Sequence, residues 1–172
     1  MRRSKSLASS FVAAALLLTA PGAVSAGGGI PSATGGAHLT VHDVFGLQTL
    51  ELQAFGFNAR VREDGTTDGW YTYREVDDGV PFDARGPVTC LTVIGNDAWI
   101  GGTIDASSDP TVVGSGSWWH VTDNGEGAKA LPDITTFLGI GTAAETRAFC
   151  AGHPAYRHPF AIDGGNIQVS DG

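Results

Sequence analysis

The stretch LELQAFGFNARVREDGTTDGWYTYREV, residues 50–76, decides the architecture. Phe55, Phe57, Ala59 and Val61 alternate with Gly56, Asn58, Arg60 and Arg62, the period of a strand with one buried face and one wet face. Leu50, Leu52 and Ala54 carry the opposite parity. A bulge near Phe55-Gly56 reconciles the two halves, because one extra residue reverses the facing of everything beyond it. Glu63-Asp64-Gly65-Thr66-Thr67-Asp68-Gly69 is a turn, and Trp70 to Val76 is an aromatic-rich strand that completes a hairpin.

Downstream the same grammar repeats. Asp77 to Pro81 breaks the pattern, Phe82 to Ile94 reads as a long strand carrying Val88, Leu91 and Val93, and Gly95-Asn96-Asp97 turns it into Ala98 to Ile104. Residues 105–116 form a loop or weak edge, and Ser117 to Thr122, Asp133 to Gly141, Glu145 to Ala151 and Phe160 to Val169 read as further strands. A short helical turn fits near Ala143 to Thr146, but no helical period is sustained over ten residues. The expected fold is all-β, an antiparallel β-sandwich or partly closed barrel of about 7–10 short strands with one disulfide.

Residues 1–26 have the form of a secretory signal peptide. Arg2, Arg3 and Lys5 make a basic start, Leu7 to Thr19 an apolar middle, and Val24-Ser25-Ala26 a small-residue cleavage site. Ser9, Ser10, Pro21 and Gly22 interrupt the apolar run, which a membrane anchor of about 20 residues would not allow. The expected location is therefore extracellular or at the cell envelope, without stable membrane insertion after cleavage. Residues 27–37 read as a flexible Gly-rich lead-in and 38–172 as a single β-domain.

Without the leader, seven Lys and Arg face eighteen Asp and Glu, a net charge of −11. The cations are scattered singly among carboxylates, which argues against nucleic acid as a partner. Cys90 and Cys150 are an even pair in an oxidising compartment and are expected to be bridged; without CxxC spacing they carry no redox motif.

Phe55-Gly56-Phe57-Asn58-Ala59, Asp64-Gly65, Gly86-Pro87-Val88-Thr89-Cys90-Leu91, Gly95-Asn96-Asp97-Ala98-Trp99-Ile100-Gly101-Gly102, Asp123-Asn124-Gly125-Glu126-Gly127, Pro132-Asp133, Cys150 and Gly165-Asn166-Ile167-Gln168-Val169 follow in an order that resembles the post-COAP-type domain. Such domains occur as small secreted bacterial proteins and as C-terminal modules of surface proteins. The resemblance spans roughly residues 27–171 and rests on turns and strands. It implies a β-fold and the Cys90–Cys150 bridge, and it brings no catalytic residues.

Among chemical motifs, Asp123, Asn124, Glu126 and Asp133 offer closely spaced oxygens for calcium, against a tight turn in which Asn124-Gly125 supplies positive φ. His38, His42, His153 and His158 lack zinc spacing, and Ser115-Gly116-Ser117 matches no nucleophile elbow. No catalytic residue is identified. Trp70, Trp99, Trp118 and Trp119 are candidates for a binding surface, with Trp118 and Trp119 forced onto opposite faces of their strand. The leading expectation is a non-catalytic extracellular or envelope module for binding or adhesion, its partner an extracellular ligand such as a cell-wall or polysaccharide component. The alternatives are an extracellular hydrolase with a carboxylate site and a calcium-stabilised structural protein.

Overall fold

A computed structural model describes residues 29–42, 50–127, 129–156 and 158–172. The expected signal peptide, its cleavage site and the first glycines of the lead-in lie outside the described residues. The strands are β1 (Ser32–His42), β2 (Leu50–Val61), β3 (Thr67–Asp77), β4 (Val80–Ile94), β5 (Asp97–Thr103), β6 (Ala106–Ser107) and β7 (Gly116–Thr122). After them come β8 (Ile134–Thr135), β9 (Gly139–Gly141), the helix α1 (Ala143–Gly152), β10 (Phe160–Ala161) and β11 (Gly164–Ser170). Every pairing is antiparallel, in the order β10-β8-β7-β5-β4-β3-β2-β1-β11, with β6 against β4 and β9 against β7. The sheet curls into a half-barrel, so of the two architectures expected it is the partly closed barrel.

Three local expectations are corrected. β1 starts at Ser32, inside the stretch read as a flexible lead-in, and pairs with both β2 and β11. Gly35 serves close strand approach: a Cβ there would stand 2.8 Å from the Asn166 carbonyl oxygen. Next, no bulge falls at Phe55-Gly56, for the β1–β2 register runs unbroken from Ser32↔Arg60 to His42↔Leu50. The register break lies in β4 between Val88 and Cys90. It switches the inward parity from Ala84, Gly86 and Val88 to Leu91 and Val93, and so turns Cys90 and Thr92 outward.

The third correction is the segment 145–151, which is helical. Thr142 and Glu145 form a capping box, the Thr142 hydroxyl accepting from the Glu145 amide while the Glu145 carboxylate accepts from the Thr142 amide. Those bonds hold the Glu145 carboxyl below its usual range. Thr146, Phe149 and Cys150, at helical spacing, bury one face of α1 on the outside of β4, β5 and β7. There the Cys90–Cys150 disulfide closes, and Thr92 donates to the Cys150 carbonyl at 2.7 Å. Gly101 lies beneath this contact, where a Cβ would stand 2.6 Å from Cys90 Sγ.

On the inner side, Phe57, Tyr71, Ile100, Trp119, Val121 and Ile167 fill the barrel. With α1 outside and this core inside, β5 and β7 are buried on both faces, which is why Trp118 and Trp119 can stand side by side on one strand.

The curled sheet closes on itself through side chains more than through a ladder. The amide of Ile162 donates to the Asp133 carbonyl (3.0 Å) and that of Asp163 to the His38 carbonyl (2.9 Å). The Asp133 carboxylate accepts from the amides of Asn124 and Ile167, both at 2.8 Å. Asp123 accepts from Gly125 (2.7 Å) and Val169 (3.0 Å). Two carboxylates thereby satisfy the outer-edge donors of β11, which would otherwise be an open edge.

Candidate functional site

The clamp just described employs the oxygens that a calcium ion would need. Asp123 and Asp133 spend their carboxylates on backbone amides, Asn124 donates to the Pro132 carbonyl at 2.6 Å, and Gly125 and Gly127 take positive φ in the turn. Glu126 is exposed. Among the described residues, no group of three His, Cys, Asp or Glu side chains is placed to hold a metal ion.

The four tryptophans divide. Trp119 is core, edge-on to Phe57 (5.8 Å) and tilted on Tyr71 (5.1 Å). Trp118 is half-buried against Phe149 (6.2 Å). Trp99 is buried, packs on His120 (4.7 Å) and donates Nε1 to the Pro154 carbonyl (3.0 Å). His120 Nε2 stands 2.9 Å from Asp97, and burial pushes its pKa down against that carboxylate's pull. Trp70 is 43 % exposed and alone among the four is offered to solvent.

Trp70 stands on the outer face, beside a groove. Tyr71 and Tyr73 point inward, so Trp70, Thr72 and Arg74 share the outer face of β3. The register sets Ala54 and Gly56 of β2 on one side and Asp83 and Arg85 of β4 on the other. Ala54, Gly56, Thr72, Arg74, Asp83 and Arg85 line a groove of about 380 Å³, and Trp70 stands beyond that lining on the same face. Its floor is low because Gly56, Ala54 and Thr72 are small. Arg60 and Arg62 pair with Asp68 at 3.2 and 3.0 Å, whereas among the described residues no ion pair engages Arg74 or Arg85. Trp70 thus stands one step, about 7 Å, along the strand from the level of Thr72 and Arg85, and two steps from the facing pair Arg74 and Asp83.

On the inner face of the same ribbon lies a second polar site. Unbroken register carries the inward parity of Phe57 and Phe55 on to Gln53 and Glu51, opposite Glu75 and Asp77 of β3. Leu50 and Leu52 are consequently 44 % and 46 % exposed, while Glu51 is 6 % and Gln53 3 % exposed. Gln53 Nε2 donates to Glu51 at 2.5 Å, and the Tyr73 hydroxyl donates to Glu75 at 2.6 Å. Burial, with the Glu75 and Asp77 charges and a hydrogen bond to Glu75, pushes the Glu51 pKa up to about 7. Gln53 Oε1 is buried without a donor.

This displacement has a sign. The folded chain holds the Glu51 proton more tightly than the unfolded chain does, so its stabilisation is complete below about pH 4.5 and is lost as pH rises to about 7. The loss is about 2 kcal/mol, short of the full displacement because half-buried Glu75 and exposed Asp77 admit solvent screening. Glu51→Gln is therefore expected to unfold at higher urea than the wild type at about pH 8, with the two converging near pH 4.5. Parallel pH profiles would contradict it.

Sequence reasoning missed Glu51, Gln53 and Glu75 because it turned Leu50 and Leu52 inward; extending the Phe57–Phe55 parity without a bulge would have found them. No family model matches the chain, and no curated protein or solved structure matches it either.

Proposed function

We propose that the chain works as a secreted, non-catalytic binding module of the extracellular space or cell envelope, and that it holds a polysaccharide in the outer groove. The observation that carries this reading is the groove itself, with the Arg74, Asp83 and Arg85 side chains free of ion pairs along it, and exposed Trp70 beyond its lining on the same face of β3. A sugar ring offers a CH face for stacking and hydroxyls that both donate and accept, which these side chains complement.

Binding is favoured over hydrolysis on two grounds. Glycoside cleavage uses two carboxyl groups flanking the bond at about 5 Å or more, and the groove supplies Asp83 alone. A resemblance to modules of surface proteins agrees with a carrier of ligands more than with a turnover catalyst.

The test is depletion of the protein from solution by insoluble cell-wall and storage polysaccharides. Trp70→Ala is expected to weaken saturable retention roughly fivefold to tenfold, the ~1–1.5 kcal/mol of an aromatic contact. As a surface change it should alter stability by no more than about 0.5 kcal/mol. Gly56→Leu, which fills the groove floor, should weaken retention too. Retention that ignores both substitutions, or none on any matrix, rejects the reading.

A further inference from the structure

We infer that the outer face of β2, β3 and β4 takes an acidic polysaccharide, one whose sugars carry carboxylates, and that Arg74 and Arg85 in the groove select it. This rests on the groove reading above and narrows it from polysaccharides at large to uronate-bearing chains.

The register gathers cations that the sequence scatters. On β3 the outward positions are Asp68, Trp70, Thr72 and Arg74. β2 sets Arg60 opposite Asp68, while β4 sets Arg85 opposite Thr72 and Asp83 opposite Arg74. Arg62, just past the end of β2, reaches the Asp68 oxygen that Arg60 also reaches. Four arginines therefore share this face with two aspartates, although the chain beyond residue 26 has a net charge of −11. Among the described residues the other cations are Lys129 and Arg147 alone.

Each half of the face is one carboxylate short. Asp68 serves Arg60 and Arg62 together. Among the described residues Asp83 is the one carboxylate that lines the groove, and no ion pair engages it. Whichever of Arg74 and Arg85 turns to Asp83, the other keeps an unanswered charge. Asp105 donates its amide to the Arg85 carbonyl, but its carboxylate bears on inward-facing Tyr71. Exposed charges farther off than about 8 Å are largely screened at physiological salt, so the acidity of the rest of the chain does not erase this local surplus.

The two surplus charges lie on either side of Trp70. Four residues of strand, about 13 Å, separate the level of Arg60 from that of Arg85. A guanidinium fork matches a carboxylate in shape and charge, and an exposed indole between two such forks matches the face of a sugar ring. A linear chain with carboxylates at intervals meets all three groups, whereas a neutral glycan answers neither surplus charge. A single nucleic-acid strand is served less well. It carries a phosphate at every nucleotide and stacks base after base, and this face has a surplus of two charges and one exposed tryptophan.

The experiment is calorimetric titration of the wild type with polygalacturonate, alginate and hyaluronate, each beside its methyl ester, which removes the charge and keeps the rings. Expected is saturable binding of at least one acidic chain, about tenfold or more tighter than its ester and weakening as salt rises. Arg74→Gln and Arg85→Gln should each weaken the acid by about tenfold and leave any ester binding unchanged. Asp83→Asn should tighten the acid about threefold, a gain that misfolding cannot imitate. Asn at 83 keeps the backbone ties to β6 and its end, where the Ser107 hydroxyl donates to the residue 83 carbonyl (2.6 Å) and the Ser108 hydroxyl accepts from its amide (3.0 Å). Acid and ester bound equally, affinity that ignores salt, or weaker binding in Asp83→Asn overturns the inference. So does a single-stranded oligodeoxynucleotide bound as tightly as the best acidic chain. No saturable binding of any acidic chain overturns it as well, while Trp70-dependent retention on a neutral matrix would still keep the groove reading.

Discussion

Asp133→Ala is expected to lower the unfolding free energy by about 3–5 kcal/mol, read as a large fall in the urea midpoint, because two charge-assisted bonds vanish at once. Asp133 is 5 % exposed, so neither orphaned amide regains water cheaply. One of them, Ile167, belongs to the innermost layer of the core, fully buried on β11. The other, Asn124, anchors the turn whose Asp123 makes the second clamp on Val169. Losing Asp133 therefore loosens both rungs of the seam. Against a typical domain stability of about 5–15 kcal/mol, that is a large share. Asp133→Asn keeps an acceptor for one amide and should fall between. A change below about 1 kcal/mol would show that the curl is held by the apolar core alone.

This seam marks where the sequence could and could not be read. Period-two alternation exposes the β2–β3 hairpin and the all-β architecture, because facing is a local property of a strand. Closure is not local. Asp123 and Asp133 look like turn residues or a cation loop, and only the arrival of β11, more than thirty residues later, gives their oxygens the amides of Ile167 and Val169. The lead-in fails for a related reason: Gly35 and Gly36 suggest flexibility by composition, yet both lie in β1, and Gly35 is tight because β11 brings the Asn166 carbonyl and Ile167 onto its Cβ position. Two misses were avoidable. Thr142 with Glu145 is a capping box ahead of the Ala-rich AAETRAFCAG helix, and the step from Val88 to Leu91 and Val93 already signals the β4 bulge.

The inner carboxyl site was hidden by a sound rule, that leucines face the core and Glu and Gln face water. β2 breaks it at Leu50, Glu51, Leu52 and Gln53. Inverting it leaves two leucines wet and the Glu51 carboxyl and Gln53 amide dry, which no local folding rule recommends. Of the two candidate sites, the outer groove was half legible, through Trp70. Arg74, Asp83 and Arg85 assemble there only because β4 pairs with β3 in that register.

Replacing Cys90 and Cys150 together by alanine is expected to cost about 4 kcal/mol, the closure entropy of a loop of 60 residues. The structure adds a spatial pattern to that figure. A helix of ten residues does not persist alone in water, so α1 depends on its seat over β4, β5 and β7. The disulfide is the covalent part of that seat; Phe149 against Trp118, and Thr92 donating to the Cys150 carbonyl, are the rest. Without the bridge α1 should loosen before the barrel does, and Trp118 and Trp99 should gain water while Trp119, on the inner face, stays shielded. Fluorescence at low urea should then shift to the red before strand circular dichroism falls, giving two steps where the bridged protein gives one. Coincident transitions in both proteins would mean that α1 and the barrel form a single cooperative unit whose link is packing, with the disulfide acting on the unfolded chain only.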